Sequence, residues 1–295
     1  MQLKTVLSPD YLARILGLKL RAQAVLEGAL AGWHPSPFHG YSSEFSQYKG
    51  YAPGDDLKHL DWKVFGKRDH LVVRQYRDET NAAVHLVIDT SASMGYKSGA
   101  DGGFSKLDYA CVLAASLTLL AERQRDALSL SHGGQNMKEF LPPESGPMRT
   151  REMLRRLESL APEGKTDLEA LFAEVAPRIT GQSFVFLFTD LWQDPEAIGA
   201  GLQRIRRKSK TTTVVQLRTR DEAEFFEEGN FRLRDLETGE ELEVSSELAR
   251  AAYLKAVKEH SARMAKECSR LGVRLVPIQT DWPCDLSLRS ILPRV

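Results

Sequence analysis

Apolar residues recur along this chain in two rhythms. Leu12, Ile15, Leu16, Leu18, Leu20, Ala24, Val25 and Leu26 repeat at helical spacing and predict an amphipathic helix over 9–30, with Ser8 or Asp10 near its start. Residues 32–54 shift to Gly, Pro, Ser, His and Tyr and read as loop. A short helix over Leu57–Phe65, capped by Asp55 or Asp56, and a short strand over Leu71–Tyr76 come next. From Asn81 the rhythm changes. Runs rich in apolar residues at Ala83–Ile88, Phe184–Phe188, Thr212–Leu217 and Val273–Ile278 predict strands, separated by helical patterns near 106–124, 147–160, 167–178, 195–207 and 246–271. Ala127–His132 and Met137–Leu141 predict a hairpin around Gly133-Gly134. The stretch 221–245 is acidic and strand-like, with turns at Gly229-Asn230 and Gly239.

Buried strands alternating with helices predict an α/β fold, a mostly parallel sheet flanked by helices on both faces. The break in rhythm predicts an extension over 1–80 packed on a main domain over 81–295. In such sheets ligands bind outside the carboxyl ends of the strands. Those loops are therefore the place to look for chemistry.

Composition removes several functions. Forty Lys and Arg offset forty Asp and Glu in 295 residues, so the basic excess of a nucleic-acid binder is missing. Lys4, Asp10, Arg14, Lys19 and Arg21 interrupt every apolar stretch near the N-terminus, and the most apolar window, Val112–Ala121, is about half a membrane span. Three cysteines without a Cys-x-x-Cys pair suit a reducing compartment. The expectation is a cytoplasmic protein with no membrane insertion.

Three predicted loops on one rim carry oxygen ligands. The first buried strand runs into Asp89-Thr90-Ser91-Ala92-Ser93, a later loop reads Gly164-Lys165-Thr166-Asp167, and the strand at 184–188 ends in Thr189-Asp190. Carboxylates and hydroxyls are hard donors that suit Mg²⁺ or Mn²⁺. The alternative reading is that Asp89 and Ser91 only cap the element that follows. Asp-x-Ser-x-Ser followed by a Thr loop and a strand-terminal Asp resembles the metal-ion-dependent adhesion site of von Willebrand factor A domains, over about residues 81–290. The resemblance implies a von Willebrand factor A-like fold and a metal set of Asp89, Ser91, Ser93, Thr166 and Asp190. It implies direct bonds from the three hydroxyls, with both carboxylates acting mainly through water and serine hydrogen bonds. One departure is Leu191 after Asp190, where many such domains have Gly; this alters the turn rather than the ligand set.

A second block is more specific. Glu44-Phe45, Tyr48, Tyr51-x-x-Gly54-Asp55-Asp56, Leu60-Asp61-Trp62 and Val73-Arg74 resemble the bacterial "domain of unknown function 58" family, closely over about residues 28–95. That resemblance implies an adaptor working with a MoxR-type AAA+ ATPase in the assembly or maturation of other proteins. Tyr51, Asp55, Asp56, Asp61 and Trp62 are candidate partner contacts; the alternative is that the aromatics anchor the segment and the acids cap a helix or pair with Arg68 and Arg74.

No phosphate-binding Gly-x-x-x-x-Gly-Lys-Ser/Thr loop and no Gly-x-Ser-x-Gly elbow occurs. A dehalogenase-type phosphatase would need a second Asp two residues after Asp89, where this chain has Ser91. The preferred expectation is a non-catalytic module whose ion accepts an Asp or Glu from a protein partner. The alternative is a Mg²⁺-dependent phosphoryl hydrolase using the same site.

Overall fold

The structure is a computed structural model. It describes residues 17–31, 82–98, 103–180, 183–225 and 229–292, the backbone of 45–50 and 72–76, and the single positions Ser8, Pro9, Leu12 and Val64. The contacts form two compact units, one of residues 1–37 with 82–295 and the other of residues 38–81.

In chain order the first element is helix α1, Leu18–Leu30, which buries Leu18, Ala22, Val25, Leu26 and Ala29. Gly17 at φ 83 precedes it, so the single helix expected from residue 9 is broken there. In the smaller unit, β1 (Phe45–Gly50) pairs antiparallel with β2 (Val72–Tyr76). The strand at 45–50 corrects the loop expected across 32–54. Phe45 and Tyr48 have strand propensity that the surrounding Gly and Ser masked. Of the helix expected over 57–65, only Val64 is described, and it is helical.

The larger unit continues with β3 (Ala83–Asp89), buried at every position. Helix α2 (Lys106–Gln124) follows, started by a reciprocal Ser105–Asp108 capping box. Strands β4 (Ala127–Gly133) and β5 (Met137–Glu144) make the expected hairpin. Then come α3 (Pro147–Ser159), α4 (Leu168–Val175), β6 (Ser183–Thr189), α5 (Pro195–Lys208) and β7 (Thr211–Arg218). The acidic stretch opens as a short helix, α6 (Arg220–Glu224), and only then forms the hairpin β8 (Asn230–Arg234) and β9 (Glu241–Ser245). Thr219 and Glu222 form a capping box there, which outweighs the strand-like pattern. Helix α7 (Ser246–Leu271), β10 (Arg274–Gln279) and the unanticipated α8 (Cys284–Ile291) complete the order.

The six-stranded sheet runs β10-β7-β6-β3-β4-β5, parallel except for β5. Helices α1, α2, α3 and α8 pack together as one layer, and α4, α5 and α7 as the other. Val87, Val185, Leu187 and Val214 meet this second layer through Phe172, Leu202 and Met264. This is the expected α/β fold, a mostly parallel sheet flanked by helices on both faces. Its chain leaves β3 toward β4 and β5, then returns to β6 on β3's other side. The carboxyl ends of β3 and β6 therefore flank the topological switch point, where open α/β sheets form a crevice.

Candidate functional site

Asp89 ends β3 at that switch point and is buried. Its Oδ1 accepts the Ser91 N–H at 2.9 Å, and its Oδ2 accepts the Thr189 hydroxyl at 2.8 Å, so the carboxylate ties β3 to β6. Burial, then the Asp190 charge, pushes the Asp89 carboxyl up to about 7 against the opposing effect of these hydrogen bonds. Ser91 Oγ and Ser93 Oγ share a hydrogen bond at 3.0 Å. The loop bearing Thr166 is stitched to the same corner: the Ala92 N–H donates to the Gly164 carbonyl and the Glu163 N–H to the Thr90 carbonyl, each at 2.9 Å. A Cβ on Gly134 would lie 2.6 Å from the Lys165 carbonyl, so only glycine permits this approach. Gln193 fixes the loop further, donating to the Thr166 carbonyl at 2.8 Å and accepting the Leu168 N–H at 2.7 Å.

Leu191 stands where a glycine was the commoner choice, and its φ is 60. A non-glycine residue in the left-handed region costs about 1–3 kcal/mol. Its fully buried side chain and a 2.7 Å hydrogen bond from His260 Nε2 to its carbonyl hold the turn in place.

Asp190 has a partner that sequence reasoning missed. Lys106 is 1% exposed, and its Nζ donates to Asp190 Oδ2 at 2.8 Å and to Glu222 Oε1 at 2.6 Å. Burial alone would lower this ammonium, but the two carboxylates outweigh it and raise it to about 12. The acidic run thus contributes inward contacts: Glu222 holds Lys106, and Asp221 accepts the Tyr96 hydroxyl at 3.0 Å. Thr166 likewise has a partner, donating its hydroxyl to Glu237 Oε1 at 2.5 Å and its N–H to Glu237 Oε2 at 2.9 Å. Thr189, Gln193 and Glu237 gave no local motif, and Glu222 is marked in the sequence only as the acid of the Thr219 capping box. Lys106 did leave a trace, since a lysine in a first helical turn opposes the helix dipole unless an acid faces it. Tyr51, Asp55, Asp56, Asp61 and Trp62 lie outside the described residues.

The donors suit a hard divalent cation. Two ligands at about 2.1 Å and at right angles in an octahedron sit about 3.0 Å apart. The Ser91–Ser93 hydroxyl pair has that separation. The buried Asp89 beside Asp190 supplies negative charge that a cation would relieve. Among the described residues, no group of three or more His, Cys, Asp or Glu forms a metal cage. Also among the described residues, no helix is long and apolar enough to cross a membrane.

Uncharacterized proteins of Mycobacterium tuberculosis and Mycobacterium bovis are each 27% identical to this chain over 289 residues, covering 94% of it and 88% of their own length. Among solved structures, an aerotolerance-related membrane protein from Bacteroides fragilis aligns over 71% of this chain and 96% of its own, at 17% identity and a TM-score of 0.48. BatB from Bacteroides thetaiotaomicron covers 70% and 95% at 14% identity and 0.43, and the SpRpn10 VWA domain 71% and 94% at 11% and 0.40. The family model described as "Protein of unknown function DUF58" matches residues 47–263, and this chain belongs to that family.

Proposed function

We propose that the chain is a non-catalytic, Mg²⁺-dependent (or Mn²⁺-dependent) protein-interaction module. Ser91, Ser93 and Thr166 would hold the ion through their hydroxyls, with Asp89 and Asp190 supporting it through water and serine hydrogen bonds. The ion would supply an electrophilic position for an Asp or Glu carboxylate of a protein partner. The observation that carries this reading is the Ser91–Ser93 hydroxyl pair, 3.0 Å apart, beside the buried Asp89 carboxylate. Family membership supports the wider role: a cytoplasmic adaptor working with a MoxR-type AAA+ ATPase in the assembly or maturation of other proteins.

The test is a titration of Mg²⁺ against melting temperature for wild type and Thr166→Ala. At ~100 times the dissociation constant, an ion bound to the native state adds about 2.7 kcal/mol. Thr166→Ala should lose most of that gain. Identical curves for the two proteins refute the metal assignment, and Mg²⁺-dependent turnover of phosphate esters that Ser91→Ala abolishes would favour the hydrolase instead.

A further inference from the structure

Glu237 sits 71 residues beyond Thr166, yet it engages that residue with both carboxylate oxygens. One backbone amide and one hydroxyl facing two oxygens is how a protein receives a carboxylate ligand. The tip that delivers Glu237 is pre-shaped. Asp235 Oδ1 accepts the N–H groups of Glu237 and Thr238 at 2.7 and 3.1 Å, and Gly239 at φ 76 closes the turn through a 2.9 Å bond to the Asp235 carbonyl.

The neighbouring Leu236 lines a cavity of about 520 Å³ that Trp192, Phe225, Phe231 and Tyr253 also line. Ser93 and Asp190 belong to the same cavity wall, so the apolar space opens onto the candidate metal rim. A two-stranded ribbon is marginal by itself in water. Its seat therefore depends on the Glu237 carboxylate and on the apolar residues facing this cavity.

We propose that Leu236-Glu237 is a built-in stand-in for a protein ligand. The Glu237 carboxylate takes the place on Thr166 where a partner's Asp or Glu binds, and the cavity receives the apolar side chain next to that acid. The partner class is thus an acidic turn or tail with an apolar residue immediately before Asp or Glu. Such a segment binds only when the hairpin tip yields its place. This rests on the reading of the rim as a carboxylate-accepting site.

The test uses the full chain, as wild type and as Leu236→Ala/Glu237→Ala, with a fluorescent Arg-Asp-Leu-Glu-Thr-Gly-Glu peptide, the sequence of residues 234–240. Leu236 is 47% exposed and Glu237 is half-buried. Anisotropy is read in excess Mg²⁺. A tethered occupant competes at an effective concentration on the order of millimolar, so the variant should bind the peptide roughly tenfold or more tightly than wild type. The same peptide with Gln for the Glu that follows Leu, or with Ala for that Leu, should lose binding. Equal binding to both proteins, or none to the variant, overturns the proposal. Electron paramagnetic resonance of Mn²⁺ on the same samples separates the two readings. Peptide capture without Mn²⁺ binding removes the ion and leaves the built-in ligand standing, whereas Mn²⁺ binding without peptide capture does the reverse.

Discussion

Lys106→Met should destabilise the protein by about 3–5 kcal/mol, the range for removing one partner of a buried ion pair. A divalent cation should reverse much of that loss. Lys106 and Asp190 are both nearly inaccessible, with side-chain exposures of 1% and 3%, and Glu222 is 17% exposed. The raised lysine pKa gives a check on the sign. A base held at about 12 against its ordinary value of 10.5 contributes stability that is fully present at neutral pH and lost as pH rises from about 10.5 through 12. A shift of that size corresponds to about 2 kcal/mol. Methionine keeps most of the apolar stem but strands the Asp190 carboxylate without its counter-charge, so the larger figure applies. For a chain of this length the loss lowers the melting temperature by roughly 5–8 °C. An ion bound beside Asp190 restores positive charge, so Mg²⁺ should raise the melting temperature more in Lys106→Met than in wild type. Thermal melts by circular dichroism, in EDTA and across a Mg²⁺ series, measure both effects. A variant that melts with wild type in EDTA refutes the ion-pair argument. Equal Mg²⁺ responses refute the claim that lysine and cation act on the same carboxylate.

Three further outcomes follow from local chemistry. Burial pushes His85 down to about 4 from 6.5, so its stabilising contribution is complete above pH 6.5 and falls away as pH drops toward 4, by about 3 kcal/mol in all; urea melts of His85→Leu should show a flatter pH slope in that window, and an unchanged slope counts against it. Arg289 donates to the carbonyls of Ala29, Gly28 and Ala31 at 2.9, 2.6 and 3.1 Å, closing the C-terminus of α1. Arg289→Lys should cost about 1.5–3 kcal/mol in urea melts because an ammonium cannot reproduce the fork, and wild-type stability would contradict this. Gly134→Ala should displace the Thr166 loop and shrink the Mg²⁺-induced rise in melting temperature with every proposed ligand still present; a full response would show that the loop accommodates the methyl group.

The architecture was legible wherever burial wrote itself into consecutive residues. Phe184–Phe188 is apolar throughout, and Ala83–Ile88 is apolar but for His85, because both faces of their strands are covered. The oxygen donors were legible because Asp89, Ser91 and Ser93 are neighbours in sequence and Thr166 and Asp190 sit at readable strand or helix boundaries. What stayed hidden was relational. Lys106 reaches Asp190 across 84 positions and Glu222 across 116, and no local pattern encodes such a meeting. The tip of the β8–β9 hairpin was readable only as an acidic turn, since nothing around Glu237 specifies that it lands on Thr166. Gly17 could have marked the break before α1, because an isolated glycine inside a helical pattern weakens it.

These hidden partners change how the rim would work. A bare reading of the sequence gives five oxygen-bearing side chains awaiting an ion. In the structure, the acid and the hydroxyl contributed by the two later loops are both engaged, Asp190 by an ammonium and Thr166 by a carboxylate. A cation approaching Asp190 would meet the positive Lys106, which would weaken its binding, while the negative Glu237 on Thr166 would strengthen it. The two effects act through different groups and can be altered separately. Removing Lys106 raises the pull on the ion, whereas removing the Glu237 carboxylate lowers that pull and clears Thr166 for a carboxylate supplied in trans. Ion affinity and partner affinity therefore need not rise together. A partner acid would gain access by replacing a group of the same charge and chemistry, so the exchange would leave the charge of the rim unchanged. On the proposed reading, what would decide the exchange is how much better the partner's apolar residue fills the aromatic cavity than Leu236 does, set against the advantage of the tether, and specificity would then lie in the cavity rather than in the ion.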